Sequence, residues 1–311
     1  MAKNQQNINL WEFDPDQVVA LQRDRTNQRY LPGFALPDTI KIFGEMEQAV
    51  EGMQDILLVV PSYAFHQTVL TLKPLIGADT RIAWATKGIV DTNSCKLLHE
   101  LVIEQLGERP IAVLSGPSFA KEVAHGLPTA IVAASNDKSF TQDLVERFNY
   151  QALRVYMSDD IIGVQLGGAI KNVIAIAAGA SDGLNFGANA KSALITRGLA
   201  EIIRLGLAMG AKQRTLIGLS GIGDLVLTCT DNQSRNRRLG LAIAAGKDIK
   251  SAVAEIGQVV EGINTVQQAI CLANKYQVEM PICQQVARVL DGKIQLKDAV
   301  SELLSRSPKF E

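Results

Sequence analysis

The pattern of this chain changes once, near residue 157, and that change constrains the fold more than any other feature. Up to that point short β-branched runs alternate with helical stretches; beyond residue 158 the strand-like runs stop and only helical periodicity continues. Strands are predicted over 8–11, 40–43, 56–60, 81–85, 111–115, 130–134 and 153–157, with helices between them over 65–72, 95–106 and 141–148. The first helix is announced by Asp14-Pro15-Asp16-Gln17, a capping Asp, a Pro in the first turn and a Gln three residues after the cap. The run Ile56-Leu-Leu-Val-Val60 is continuously apolar, as in a parallel strand covered on both faces. Such alternation makes a doubly wound α/β domain over 1–157. Helical patterns over 161–180, 191–209, 235–245, 249–255, 265–276, 281–290 and 296–305 make 158–311 an all-α domain.

With 47% hydrophobic and 20% charged residues, the chain can bury a sizeable core. Its net charge is −1, and no Lys/Arg run is long enough to track a nucleic acid backbone or an anionic membrane. Cys95, Cys229, Cys271 and Cys283 are widely spaced, with no C-x-x-C pair, so no zinc site or redox dithiol is predicted and all four are expected as buried, reduced thiols. No metal site is expected. The first residues carry no apolar stretch, so no secretory leader is expected, and the apolar run 161–180 is broken by Gln165, Lys171, Asn172 and glycines, against a membrane span.

In open α/β sheets ligands bind beyond the carboxyl ends of the strands. The unusual residues of the first half fall there: Trp11-Glu12-Phe13, Pro61-Ser62, Thr86-Lys87-Gly88 and Ser115-Gly116-Pro117-Ser118. Each alone could be only a turn, and Lys87 only a solvated lysine; together on one rim they favour a crevice. Between Asp160 and Asp182 the sole charge is Lys171, on a helix apolar enough to be buried on most sides. Gly168 and Gly167, over which its side chain leans, are expected to leave room for a ligand beside the amine. The alternative is a lysine paired with a buried carboxylate such as Asp224. Gly218-Leu-Ser-Gly221-Ile-Gly223-Asp224 is read as a tight connection presenting Asp224, since it lacks the third glycine of a dinucleotide loop. Ser234-Arg235-Asn236-Arg237-Arg238 opens a helix with phosphate-type donors, or is simply a solvated basic turn.

Taken together, Arg29-Tyr-Leu-Pro32, Trp84-Ala-Thr-Lys-Gly88, Ser115-Gly-Pro-Ser-Phe-Ala-Lys-Glu122, Gly163-Val-Gln-Leu-Gly-Gly-Ala-Ile-Lys-Asn172, Gly223-Asp-Leu-Val-Leu-Thr-Cys-Thr-Asp-Asn-Gln-Ser-Arg-Asn-Arg-Arg238 and Val259-Val-Glu-Gly262 resemble bacterial NAD(P)-dependent glycerol-3-phosphate dehydrogenases over essentially the whole length. The resemblance implies a Rossmann-type doubly wound sheet followed by an all-α substrate domain. It also implies interconversion of dihydroxyacetone phosphate and sn-glycerol 3-phosphate, a phospholipid precursor, with NAD or NADP and no metal. Lys171 would then be the acid–base residue, with Lys87, Gly116, Ser118, Asp224, Ser234, Arg235 and Asn236 completing the substrate site. Phe13, Lys87, Ala120, Arg235, Val259 and Glu261 would contact the cofactor. A cytoplasmic homodimer is implied too. Members open with a strand and a G-x-G-x-x-G turn; here Met1-Ala2-Lys3-Asn4 looks like the end of the helix that follows that turn, so the sheet is expected to be truncated and to leave a slot between two halves. Where the family reads cofactor type, Trp11-Glu12-Phe13-Asp14 leans towards NAD, because a carboxylate at Glu12 would repel a 2′-phosphate.

Two other readings stay open. One is a related two-domain hydroxyacid dehydrogenase, which would not need Ser234-Arg235-Asn236. The other is an inactive or binding-only remnant, supported by the missing glycine turn.

Overall fold

The computed structural model describes residues 6–90 and 95–307. The reading of residues 1–4 as a helix end lies outside them. The first half runs β1 (Ile8–Trp11), α1 (Pro15–Asp24), β2 (Thr26–Asn27), β3 (Leu31–Ala35), β4 (Ile40–Phe43), α2 (Met46–Val50), β5 (Asp55–Leu58), α3 (Ser62–Leu72), β6 (Arg81–Trp84), α4 (Leu98–Leu106), β7 (Ile111–Ser115), α5 (Ala120–His125), β8 (Thr129–Ser135), α6 (Lys138–Phe148) and β9 (Leu153–Ser158). The second half is helical throughout: α7 (Ile161–Gly183), α8 (Gly187–Ala208), α9 (Gln213–Leu216), a π-turn at Leu219–Gly223, α10 (Asp224–Thr230), α11 (Arg235–Ala244), α12 (Ile249–Ile256), α13 (Glu261–Lys275), α14 (Pro281–Leu290) and α15 (Leu296–Leu304).

Strands β5-β6-β7-β8-β9 form one sheet in sequence order, parallel except at β7–β8. That antiparallel pair follows from a return connection, residues 116–128, which holds only the short α5 and brings the chain back at the end it left. Helices α3 and α4 cover one face, with Phe65, Val69, Leu101 and Val102 against Ile82, Trp84, Ile111 and Val113. Helix α6 covers the other, with Phe140 and Leu144 against Ala83, Ala112, Leu114, Ala133 and Val155. Period-2 side-chain alternation therefore serves two covered faces, which is the doubly wound arrangement.

Strand β1 pairs in parallel with β4, Ile8 opposite Ile40 and Trp11 opposite Phe43, as a separate two-stranded sheet. Among the described residues β1 has no other strand partner, and β5 has none besides β6. This bears on the expectation that 56–60 is fully covered. Asp55, Ile56 and Leu57 are only half-buried and Val59 is 67% exposed, because β5 is an edge strand here. The β2–β3 hairpin was not predicted; at two and five residues, with a Pro and a Gly, it offers too little pattern. The Asp14 cap forms as expected, accepting from the Asp16 and Gln17 amides at 3.1 and 3.4 Å, but the Gln17 side chain turns to Asn27 Oδ1 instead of back to the cap.

Helix α7 is the axis of the second half. It is long and apolar enough to cross a membrane, but Gly163 to Ser181 is buried in protein at every position except Ala177, so it is a core helix. Its positive end is held by Asp160, which accepts from Gly163 N at 2.8 Å and Lys212 N at 2.7 Å. Backbones meet closely where α11 crosses it: a Cβ on Gly240 would overlap the Ile176 carbonyl, and one on Gly179 the Arg237 carbonyl.

The cysteine expectation needs correction. Cys229 and Cys283 are free and buried, but Cys95 and Cys271 are joined as a disulfide with Cα atoms 5.6 Å apart. They are 176 residues apart, so local spacing cannot register the pair; only the packing of α13 against the segment before α4 brings them together.

Candidate active site

The ends of three neighbouring strands build one wall of the site. Thr86 Oγ1 donates to Val60 O at 2.7 Å, joining the loops beyond β5 and β6. At the end of β7, Gly116 has φ +145°, and a Cβ there would stand 2.9 Å from Ile131 Cα, so only glycine fits this turn. Its carbonyl accepts from Lys87 Nζ and from Ser118 Oγ, both at 3.0 Å.

The opposite wall comes from α7 and α10. The π-turn brings Asp224 to the first position of α10, where the helix dipole favours a carboxylate. Asp224 is 1% exposed; its Oδ2 accepts from Lys87 Nζ at 2.6 Å, and its Oδ1 accepts from Lys171 Nζ. The Lys171 amine also donates to Thr228 Oγ1 at 2.9 Å, and that hydroxyl donates to the Asp224 carbonyl at 2.6 Å. A single buried carboxylate thus lies between two ammonium groups, one from each half of the chain. Burial pushes the Lys171 pKa down to about 7; the Lys87 charge adds to the fall and Asp224 opposes it. For Asp224, burial alone would raise the pKa, but the charges of Lys87 and Lys171 outweigh it and hold the group below its ordinary value.

The paired-lysine alternative is therefore the observed geometry, and the expected room beside the amine is not. A Cβ on Gly167 would stand 2.5 Å from Ser220 O, and one on Gly168 2.6 Å from Ser115 Oγ. These glycines admit neighbouring protein, not ligand. Access to the carboxylate is instead on the Lys87 side, whose side chain is 23% exposed against 7% for Lys171.

The basic segment sits next to this cluster. Ser234 caps α11, accepting from Arg237 N at 3.2 Å. Asn236 Nδ2 donates to Asn172 Oδ1 at 2.9 Å, so the residues following Lys171 and Arg235 are hydrogen-bonded to each other. Asn236 Oδ1 also accepts from Gly262 N at 2.9 Å. Arg237 is spent on Asp182, and Arg238 is exposed. Arg235 is half-buried, and no carboxylate lies within ion-pair distance of it among the described residues. Burial lowers its pKa, partly offset by the charge of Glu261. A desolvated guanidinium with an unused fork of donors suits an anion. The Ser115 hydroxyl, buried against Gly168 without a hydrogen-bond partner, is a second unused donor.

Glu261, at the start of α13, accepts from Ser62 N at 3.1 Å and from Ser62 Oγ, linking the helical half to the first turn of α3. Val259 is half-buried just before it. Ala120, the first residue of α5, is exposed, and Phe13, 73% exposed, follows β1 of the separate two-stranded sheet. The structure thus gathers Lys87, Gly116, Ser118, Lys171 and Asp224 into one cluster. It ties Ser234, Arg235, Asn236 and Glu261 to that cluster through Asn172 and Gly262, and leaves Phe13 and Ala120 outside it. Thr228 was missed, although it stands one turn after Asp224 on the same helix face. Ser62 was noticed only as part of a turn. Among the described residues no group of side chains could hold a metal ion.

Family models match both halves. Residues 1–141 match the N-terminal model of NAD-dependent glycerol-3-phosphate dehydrogenase, and 160–301 match its C-terminal model. The chain is 52% identical over 311 residues to a glycerol-3-phosphate dehydrogenase [NAD(P)+] of Coxiella burnetii, covering 100% of this chain and 93% of that protein. It is 50% identical to the one from Tolumonas auensis, with the same coverage. The crystal structure of glycerol-3-phosphate dehydrogenase from Coxiella burnetii superposes with a TM-score of 0.95 at 51% identity, over 98% of this chain and 93% of that one.

Proposed function

The chain belongs to the NAD(P)-dependent glycerol-3-phosphate dehydrogenase family, and from that premise we propose how its site works. Its activity is the interconversion of dihydroxyacetone phosphate and sn-glycerol 3-phosphate. A hydroxyacid dehydrogenase and a binding-only remnant are not favoured by these likenesses.

The observation that carries the mechanism is the buried Lys87–Asp224–Lys171 cluster. When bound, NAD(P)H would be the source of the hydride that reduces the substrate carbonyl. Lys171, with its pKa brought near neutrality, gives the proton to the carbonyl oxygen in reduction and accepts it back in oxidation. Asp224 holds the two amines in place, and Lys87, the more exposed, orients the substrate oxygens with Gly116 and Ser118. Ser234, Arg235 and Asn236 take the phosphate, Arg235 as the charged donor. Phe13, Lys87, Ala120, Arg235, Val259 and Glu261 would hold the cofactor. The site lies between a cofactor domain over 1–157 and a substrate domain over 158–311. Initial rates with dihydroxyacetone phosphate, neutral dihydroxyacetone and simple keto acids test this reading: only the phosphate should be turned over well, and equal use of dihydroxyacetone removes the phosphate site.

A finer part of the proposal concerns the pyrophosphate. The 311 residues contain no G-x-G-x-x-G turn, and β1 and β5 each keep one edge without a strand partner among the described residues. These features support the reading that the strand and turn which cradle a dinucleotide are not within this sequence. Assembly as a cytoplasmic homodimer belongs to the same proposal, with light scattering as its test.

A further inference from the structure

Cys95 and Cys271 lie on opposite sides of the junction between the two halves, 5.6 Å apart at Cα, inside the range a disulfide requires. Cys95 is in the segment from Lys87 to α4, and Cys271 is on α13, the helix that opens with Glu261. The segment is anchored on both sides of the cysteine. Ile89 and Leu97 are fully buried in the core of the helical half, with Val266, Ala269 and Leu272 of α13. Val90 N donates to Lys96 O at 3.0 Å, and Lys275 Nζ donates to Cys95 O at 3.3 Å. Leu98, the residue after Leu97, packs into the sheet half.

The contacts form a ring. Gly88, beside Lys87, packs so closely on Ser62 that a Cβ would overlap it. Ser62 is held by Glu261 at the start of α13, and α13 returns through Cys271 to Cys95. We propose that Cys95 and Cys271 are a reversible redox staple that closes this ring, so that the thiol–disulfide state sets how freely Lys87 and the junction move. Both cysteines are only partly buried, which leaves them open to a small oxidant. The co-reactant class is a low-molecular-weight disulfide such as oxidised glutathione. One protein thiolate attacks it and expels one glutathione thiolate; the second protein thiolate attacks the mixed disulfide and expels the other. Two protein thiols lose two electrons and two protons, and one glutathione disulfide becomes two glutathione thiols. Stapled, the junction opens less readily to admit and release ligands.

The test equilibrates the full chain in buffers of reduced and oxidised glutathione. Peptide mapping should show a 95–271 crosslink that dithiothreitol removes. In the oxidised state amide exchange should slow in α13 and in the segment beside Cys95, the melting temperature should rise, and kcat at saturating NADH should fall several-fold. Cys95→Ser and Cys271→Ser should match the reduced parent and ignore the buffer. If either variant fails to fold, the redox series on the parent still decides. Absence of the crosslink under oxidising poise overturns the proposal, and so does a crosslink that leaves exchange and melting unchanged. This proposal rests on the proposed site only for the rate arm. If the chain shows no turnover in either state, exchange and melting alone decide the staple.

Discussion

The proton on Lys171 is controlled by its surroundings more than by its own chemistry. Replacing it with alanine should lower kcat by about 10²–10⁴-fold, with little change in cofactor affinity, since a general acid–base group supplies that much. Steady-state rates with a separate NADH titration read both quantities, and a kcat close to the parent's contradicts the role. Reduction needs the protonated amine, so its kcat should fall as pH rises through about 7; oxidation needs the neutral amine and should rise through the same value. Profiles flat across that pH in both directions would remove Lys171 from the chemistry. The same depression acts on stability: between about 7 and 10.5 the unfolded chain binds the proton that the folded chain lacks, so this group makes stability rise with pH in that window. Arg235→Ala should raise KM for dihydroxyacetone phosphate, and Arg235→Lys should not restore it fully, because an ammonium lacks the planar fork. An unchanged KM in the alanine variant puts the phosphate elsewhere. Cofactor choice is also a residue-scale matter. Glu12 Oε1 accepts from Asp14 N at 3.1 Å, while Arg29, paired with Asp14 at 2.9 Å, brings a positive charge to the same rim. The expected preference is for NADH, and Glu12→Arg should move the ratio of kcat/KM values towards NADPH; a tenfold parental preference for NADPH would reverse it.

Helix α7 carries the lysine, and its glycines decide how close its neighbours come. Gly179 and Gly240 let α7 and α11 cross backbone to backbone, and Gly262 brings α13 within reach of Asn236. The crossing positions Arg235 relative to Lys171, through the Asn172–Asn236 bond. Gly240→Ala would drive a Cβ into the Ile176 carbonyl, and backbone cannot yield as a side-chain tip can. It should cost about 1–3 kcal/mol of stability, as overpacked cores do. Activity should fall with it, because the two site segments part. Denaturant titration measures the first effect; a variant as stable as the parent shows that the helices can shift without loss.

At the scale of the whole molecule, the site is a seam. Lys87 comes from the sheet half and Asp224 and Lys171 from the helical half, so the halves must stay in register for the cluster to exist. Ser62–Glu261 and the 95–271 disulfide lie along the same seam. On the proposed reading that the dinucleotide-cradling strand and glycine turn are not within this sequence, these 311 residues lack the backbone donors that such a turn offers to a pyrophosphate. NADH should therefore bind weakly to the 311-residue chain; calorimetry giving micromolar affinity would show that other groups do this work.

How much could be read from the sequence follows from the range of each interaction. Period-2 runs, capping signals and 3.6-residue periodicity are local, so 8–11, 40–43, 111–115 and 281–290 were placed to the residue, and the change of pattern near 157 marked the passage from strands to helices. Lys171 was legible because it is the sole charge between Asp160 and Asp182. The family motifs carried Lys87, Asp224 and Arg235. Short elements such as β2, α2 and α5 left too few residues to show a period. Only the tertiary structure decided that the Lys171 amine shares a carboxylate with Lys87, that Gly167 and Gly168 admit Ser220 and Ser115 in place of a ligand, and that Cys95 meets Cys271. Those facts depend on segments 53 to 176 residues apart packing together, and no local pattern encodes such a distance.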